Sequence, residues 1–209
     1  MELRDVHLLV LETLADWEPG FTIAHLNAPA PGMLSKYRVR SVGLSRNPVV
    51  TKGGLRVLPD LSINELSPSN SALLLLPGAD IWAEQRTDPA LEKARAFVKA
   101  GVPVAAICGA TLGLARAGLL DTRRHTSNAP ELLAATGYAG ASYYVDQPVV
   151  EDDGVITAPA TASLELAKHV LEKLRVFSPA ALAAWYALHR TGQPEHYFAF
   201  VEAVKNQAA

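Results

Sequence analysis

The chain has 209 residues, of which 49% are hydrophobic and 19% are charged, and it contains one cysteine. A formal net charge of −2 provides no basic surface for nucleic acid, and a single cysteine excludes an internal disulfide. The apolar runs are shorter than a membrane span, and the N-terminus has no signal-peptide pattern. We therefore expect a cytoplasmic protein of one domain, residues 1–209, that binds neither nucleic acid nor membrane.

The first strand and the residues after it define one edge of a predicted sheet. Residues 6–11 are almost all apolar, as in a central strand that is covered on both faces. A polar loop follows and leads into a predicted helix at 19–27, which opens with Pro19. Glu18 therefore lies just beyond the carboxyl end of the first strand, which is the edge at which open α/β sheets bind ligands.

The next part of the chain alternates strand and helix patterns. It predicts a half-exposed strand at 37–43, a hairpin within 49–57, a buried strand at 73–76 and a helix at 88–100 capped by Asp88. Another apolar strand precedes Cys108. This order predicts a mainly parallel sheet with helices between its strands.

The segment around the only cysteine predicts a nucleophile elbow. A short apolar strand runs into Cys108, and a helical pattern of small residues begins at once and continues to about Ala117. Ala106 and Ala110 leave room beside a strained turn, and Gly109 adds backbone freedom. The positive end of the helix dipole would favour the thiolate, the reactive form. The alternative is a structural cysteine in the core, where free cysteines are often found.

The second half of the chain predicts further strands and helices. The patterns indicate a capped helix at 128–135, strands at 143–150 and 155–158, and an amphipathic helix at 161–174. Two more helical segments form an aromatic-rich C-terminal extension at about 178–209. We expect this extension to pack on the domain, and the alternatives are that it covers the cysteine pocket or forms a dimer interface. His25 and His189 fall within predicted helices and are interpreted as structural histidines.

Four motifs in this order resemble those of the ThiJ/PfpI superfamily. They are the 15–18 segment that ends in Glu18, the turn at 77–79, the elbow at 104–110 and the 157–167 stretch that leads into a helix. The resemblance covers about residues 4–175. It implies a flavodoxin-like fold related to class I glutamine amidotransferases, a doubly wound α/β/α sandwich with a mainly parallel sheet. It also implies a homodimer.

The same resemblance implies roles for individual residues. Cys108 looks like the family nucleophile, Glu18 like the acid that approaches the sulfur as a protonated partner, and His125 like the general base of one branch. The backbone N–H groups of Gly78 and Gly109 would bind an oxyanion or a sulfinate oxygen. The alternatives are a solvated carboxylate at a helix N-terminus for Glu18 and an ordinary surface or core histidine for His125. No side-chain pair has metal-ligand spacing, so we expect neither a metal nor a cofactor.

The chain also departs from the family pattern. The protease branch has His directly after the cysteine, where this chain has Gly109, and the late His–x–Glu pair of glutamine amidotransferases is missing. Both departures argue against those two activities. A cysteine-dependent hydrolase or lyase acting on a small carbonyl or amide substrate is favoured, similar to a glyoxalase, deglycase or amidase. The alternatives are a redox sensor or oxidative-stress chaperone that works through oxidation of Cys108, and an inactive scaffold that mediates assembly.

Overall fold

The computed structural model describes residues 3–208. Its strands are β1 (Arg4–Leu9), β2 (Tyr37–Gly43), β3 (Val49–Val50), β4 (Arg56–Val57), β5 (Leu61–Ser62), β6 (Ser71–Leu76), β7 (Val104–Ile107), β8 (Val150–Asp152) and β9 (Val155–Ala158). Its helices are α1 (Gly20–Asn27), α2 (Asp88–Lys99), α3 (Gly109–Arg116), α4 (Pro130–Ala134), α5 (Ser163–Lys173), α6 (Pro179–Thr191) and α7 (Pro194–Ala208).

The central sheet has seven strands in the order β5-β2-β1-β6-β7-β9-β8. All neighbours pair in parallel except β8, which pairs antiparallel with β9 at one edge. The predicted flavodoxin-like, mainly parallel sheet is therefore confirmed. The strand order reverses at β1, between β2 and β6, and in open α/β sheets such a switch point opens a crevice at the carboxyl ends of the strands.

Side chains from both faces of the sheet enter separate apolar cores. Val6 and Leu8 of β1 join one core with α1, α5 and α6, whereas Leu9 joins the other with α2 and α3. Burial on both faces explains why the strands are continuous apolar runs rather than alternating ones. The short hairpin of β3 and β4 lies outside the main sheet and pairs antiparallel, as predicted.

The C-terminal extension packs on the domain. Trp185 of α6 is completely buried, and Phe200 of α7 joins the same core. The hydroxyl of Ser178 accepts a hydrogen bond from the Ala181 N–H at 3.2 Å and caps the start of α6. Gly192 directly follows the helix as its C-cap and has a left-handed conformation. Within residues 3–208, every helix is too short or too polar to cross a membrane.

The prediction of a strand at 143–150 is wrong for all but the last residue of that range. Residues Ala141–Tyr143 form a 3-10 helix, one isolated bridge joins Tyr144 to His125, and β8 begins only at Val150. The ring of Tyr144 packs against His125 instead of lining a sheet face, with ring centroids 5.9 Å apart. Aromatic residues raised the strand propensity here, but this tertiary contact decided the conformation.

Two predicted helix starts also differ from the structure. Thr87, not Asp88, is the N-cap of α2, because Asp88 already has helical backbone angles, and the Asp88 carboxylate pairs with Arg116 at 2.9 Å. The helix expected from Asn128 begins at Pro130, and the Asn128 side chain makes other hydrogen bonds.

Gly113 provides a test of how tightly α3 packs. A Cβ at this position would lie 2.6 Å from Cε3 of Trp82 and 3.0 Å from Cδ2 of Leu91. Trp82 is 1% exposed and its indole N–H donates to the Pro77 carbonyl, so the ring has little freedom to move. We expect Gly113→Ala to lower the free energy of unfolding by about 1–3 kcal/mol, measured by urea denaturation.

Gly20→Ala is the matched control. A Cβ on Gly20, the first residue of α1, would meet no atom within 4 Å. We expect its free energy of unfolding to stay constant or to rise by about 0.5 kcal/mol, since alanine favours the helix. Equal destabilisation by the two substitutions would contradict the packing argument.

Candidate functional site

Cys108 occupies the sharp turn between β7 and α3. Its backbone has φ 59° and ψ −125°, which non-glycine residues rarely adopt. The turn is held on both sides, because the Cys108 N–H donates to the Ala158 carbonyl at 2.9 Å and the Thr111 hydroxyl donates to the Cys108 carbonyl at 2.6 Å. A strained residue that is fixed in this way is typical of a functional site.

The Glu18 carboxyl is completely buried at the same edge of the sheet. Its Oε2 accepts a hydrogen bond from the Gly78 N–H at 2.5 Å. Its Oε1 has no hydrogen-bond partner among the described residues. A buried carboxyl oxygen without a partner is costly, so this atom is available for a proton or a ligand.

Gly78 allows the acid and the cysteine to meet. A Cβ on Gly78 would lie 2.8 Å from each Glu18 carboxyl oxygen and 3.0 Å from the Cβ of Cys108. Only glycine leaves enough room for both side chains at this point. The structure thus brings together Glu18, Gly78 and Cys108, three of the residues that the sequence singled out.

The backbone N–H groups of the two glycines have different roles. Burial raises the pKa of Cys108, and the Gly109 N–H, which faces the sulfur, is a smaller effect in the opposite direction that favours the thiolate. The Gly78 N–H, expected to bind an oxyanion, is already engaged by Glu18. A Cβ on Gly109 would lie 2.9 Å from the Ala79 carbonyl oxygen, so this position is also tightly enclosed.

Asn128 contacts the sulfur, and the sequence analysis missed this role. Its Nδ2 donates to the Sγ of Cys108 at 3.3 Å. Its Oδ1 accepts from the Ala160 N–H at 2.8 Å, which fixes the amide with its donor towards the sulfur. The sequence offered one indication of this contact, because Asn128 lies three residues after His125. The pattern there, however, predicted that Asn128 caps a helix.

His125 makes its hydrogen bonds elsewhere. Its Nδ1 lies 2.7 Å from the Arg123 carbonyl and its Nε2 lies 3.1 Å from the Tyr138 hydroxyl. The ring is completely buried, and burial lowers the pKa of His125. Both ring nitrogens are therefore engaged by groups other than Cys108, and the expected role of His125 as general base has no contact to support it.

Burial dominates the electrostatics of the site. It raises the pKa of Glu18, against the opposing effect of the Gly78 N–H. It also raises the pKa of Cys108, where the Asn128 amide favours the thiolate and the negative charge of Glu18 disfavours it. The expected help from the helix N-terminus is thus outweighed by desolvation. Two negative charges in one buried site repel each other, so the pair tends to retain one proton between them.

One cation lies near this pair. The ammonium of Lys52, on the β3–β4 hairpin, pairs with Asp80 at 2.8 Å. The pKa of Lys52 is raised chiefly by Asp80, with smaller contributions from the charges of Cys108 and Glu18. Within residues 3–208, no group of three or more His, Cys, Asp or Glu side chains is placed to hold a metal ion.

Comparisons with known proteins place these residues in context. The model of the DJ-1/PfpI family matches residues 4–173. A Bacillus subtilis protein named uncharacterized protease YoaZ is 39% identical over 208 residues, covering 98% of this chain and 99% of the relative. Protein/nucleic acid deglycase 2 of Escherichia coli is 34% identical over 108 residues, covering 51% of this chain and 62% of the relative. The crystal structure of a thiJ/pfpI family protein from Bacillus anthracis aligns with a TM-score of 0.91 at 39% identity, covering 97% of this chain and 98% of that one.

The electrostatics of the pair predict opposite effects for two substitutions. Glu18→Gln should lower the pKa of Cys108, because a neutral amide replaces the charge that raises it. Asn128→Ala should raise it, because the donor that favours the thiolate is lost. Alkylation rates as a function of pH measure both, since the chain has one cysteine. A rise in the Glu18→Gln variant would mean instead that Glu18 holds the proton and donates it to a thiolate.

The buried carboxyl also predicts a pH-dependent stability difference. Burial raises the folded-state pKa of Glu18 above its unfolded value, so wild-type stability falls as the pH rises between the two values. Glu18→Gln removes the charge and keeps an acceptor for the Gly78 N–H. We expect this variant to be more stable than wild type at about pH 8 and the difference to disappear near about pH 4, in urea denaturation. Glu92→Gln, on the exposed face of α2, controls for the loss of one negative charge.

Proposed function

Since the chain belongs to the DJ-1/PfpI family, we propose that it is a cysteine-dependent enzyme acting on small carbonyl compounds, with Cys108 as nucleophile and Glu18 as its proton partner. The observation that carries this proposal is the unpartnered Oε1 of Glu18 beside a cysteine on a strained elbow. Raised above its usual pKa by burial, Glu18 is a better base than an ordinary carboxylate.

The first step is addition of the thiol to a carbonyl group. The thiol proton passes to Oε1 of Glu18, and the thiolate attacks the carbonyl carbon to form a C–S bond. The proton then passes from Glu18 to the former carbonyl oxygen, giving a hemithioacetal with no other reagent. The N–H of Gly109 and the amide of Asn128, which face the sulfur, are donors for the developing negative charge.

A 2-oxoaldehyde can complete a reaction cycle with the same two groups. Glu18 removes the C–H proton of the hemithioacetal to give an enediolate and returns this proton to the adjacent carbon. The hydroxyl proton of the hemithioacetal passes to the oxygen on that adjacent carbon, so that the adduct becomes a thioester of a 2-hydroxy acid. Water then cleaves the thioester and regenerates the thiol. The net change is 2-oxoaldehyde plus water to 2-hydroxy acid, with no external oxidant or reductant.

Asn128 supports this chemistry over peptide hydrolysis. An amide can hydrogen-bond to sulfur but cannot carry a proton to a leaving amine, as the histidine of a cysteine protease does. The ring nitrogens of His125 are engaged elsewhere, which supports Glu18 as the group that moves protons at Cys108. One proton carrier suffices for addition and isomerisation. An activated amide is the second substrate class that this pair could accept.

The sequence patterns, and for the dimer the resemblance to the family, are the basis for three further proposals. They are that the chain forms a single domain, that it functions as a homodimer and that it is located in the cytoplasm. Equilibrium sedimentation of the purified protein tests the dimer, and a mass equal to one chain would reject it.

Turnover of methylglyoxal tests the proposed activity. We expect wild type to convert it to lactate without added thiol, as followed by NMR, and Cys108→Ser to fall to the uncatalysed rate. Glu18→Gln should lose about 10²- to 10⁴-fold in kcat/KM, the usual effect of removing an acid–base group. Glu92→Gln, which also removes a carboxylate but lies on the exposed face of α2, should retain full activity.

A redox sensor is the second candidate. Cys108 is partly exposed, and the donors from Asn128 and Gly109 could hold sulfinate oxygens. Absence of turnover on any carbonyl or amide, together with a gain of two oxygens at Cys108 under mild peroxide, would reject the enzyme and favour the sensor. An unreactive Cys108 would reject both.

A further inference from the structure

The C-terminal extension is joined to α1 by a partly buried side-chain hydrogen bond. The indole Nε1–H of Trp185, which is 0% exposed, donates to Nε2 of His25 at 2.9 Å. The other ring nitrogen, Nδ1, lies 2.8 Å from the carbonyl of Phe21, four residues earlier in the same helix. We call the Trp185–His25 hydrogen bond the latch.

The latch requires a neutral histidine. The Phe21 carbonyl can only accept, so Nδ1 of His25 carries the hydrogen. The indole of Trp185 can only donate, so Nε2 must be unprotonated. A second proton on His25 would place two N–H groups face to face and leave the buried indole donor without an acceptor.

The surroundings of His25 do not compensate a positive charge. From α6, His189 presents its ring with the centroid 5.7 Å from that of His25, and its charge when protonated would add repulsion. From the segment after α5, the uncharged ring of Phe177 lies at 6.2 Å. Burial lowers the pKa of His25, and His189 adds to this effect. Among the described residues, His189 is the titratable neighbour that acts on His25.

The helix that carries His25 also fixes the backbone of the catalytic acid. Helix α1 begins at Gly20, and the Ile23 N–H donates to the Pro19 carbonyl at 2.9 Å in its first turn. Pro19 directly follows Glu18. A shift of α1 is therefore transmitted to the Glu18 backbone through one peptide bond, at a site where the approach to Cys108 leaves no spare room.

We propose that His25 and Trp185 are positioning residues that hold α1, and with it Glu18, against the C-terminal extension, and that protonation of His25 opens the latch. Glu18 would then lie beside Cys108 at neutral pH and would be displaced from it in acid, when His25 is protonated. This inference rests on the proposed role of Glu18, but its test needs no turnover of substrate. It also gives the extension a task besides packing.

Hydrogen exchange tests the opening of the latch. Protection factors corrected for intrinsic rates are compared at about pH 7.5 and about pH 5.5. In wild type, amides of α1 should lose about fivefold or more in protection relative to amides of β6, as expected when a buried donor loses its partner. His25→Gln keeps an acceptor for Trp185 and does not titrate, so its α1 protection should stay constant. Equal losses in both proteins would overturn the proposal.

Reactivity of Cys108 tests the link to Glu18. A dipyridyl disulfide reacts with thiols in acid as well as at neutral pH. We expect wild type and His25→Gln to react equally at about pH 7.5, and wild type to react about twofold or more faster at about pH 5.5, because displaced Glu18 no longer raises the pKa of Cys108. Identical rates at both pH values would overturn the link.

An NMR titration of His25 in a Trp185 variant is the third measurement. Trp185→Phe removes the donor, so protonation of His25 no longer breaks a hydrogen bond, and its NMR titration midpoint should move to higher pH than in wild type. An unchanged midpoint would contradict the latch. If this variant does not fold, His25→Gln still decides the question. Since none of these readouts uses a substrate, they hold or fail independently of methylglyoxal turnover.

Discussion

The close approach of three groups at Gly78 is the constraint on which the site depends. The Glu18 carboxyl, the Gly78 backbone and Cys108 converge at a point where a single methyl group would not fit. The parallel sheet makes this convergence feasible, because β1, β6 and β7 end side by side at the same edge. Each strand leads into one of the three residues: β1 is followed by Glu18, β6 by Gly78 and β7 by Cys108. The strained backbone of Cys108 is sustained by hydrogen bonds from the neighbouring elements.

Desolvation then determines the chemistry that the pair can perform. Burial raises the pKa of both Glu18 and Cys108, and their mutual repulsion disfavours the doubly charged state. One proton can therefore move between the two groups, which suits reversible addition to a carbonyl group. Asn128 adds a donor that does not titrate, and its orientation is fixed by Ala160. The site thus combines one proton carrier with fixed hydrogen-bond donors. Burial of the Glu18 carboxyl lowers the stability of the folded protein, as is common at functional sites.

The C-terminal extension is linked to this site through α1. Trp185 lies in the apolar core, yet its one polar atom meets His25 on the helix that starts just after Glu18. Because His25 must be neutral to accept that hydrogen bond, the contact is sensitive to protonation of His25, whose pKa is lowered by burial. The extension therefore contributes a specific polar contact as well as apolar area, and this contact is made to the helix that follows Glu18.

The sequence by itself determined the sheet class, the elbow at Cys108 and the position of Glu18 at the carboxyl edge of the sheet. These follow from local patterns, namely apolar strands, small residues around a turn, and the order of the strands along the chain. It did not determine the third group at the sulfur. His125 and Asn128 lie in one irregular segment, and which of them reaches Cys108 depends on long-range contacts with Tyr138 and Ala160. The strand expected at 143–150 failed for the same reason. Only the tertiary structure decided these points, because irregular segments take their conformation from the surfaces that they contact and not from their own periodicity.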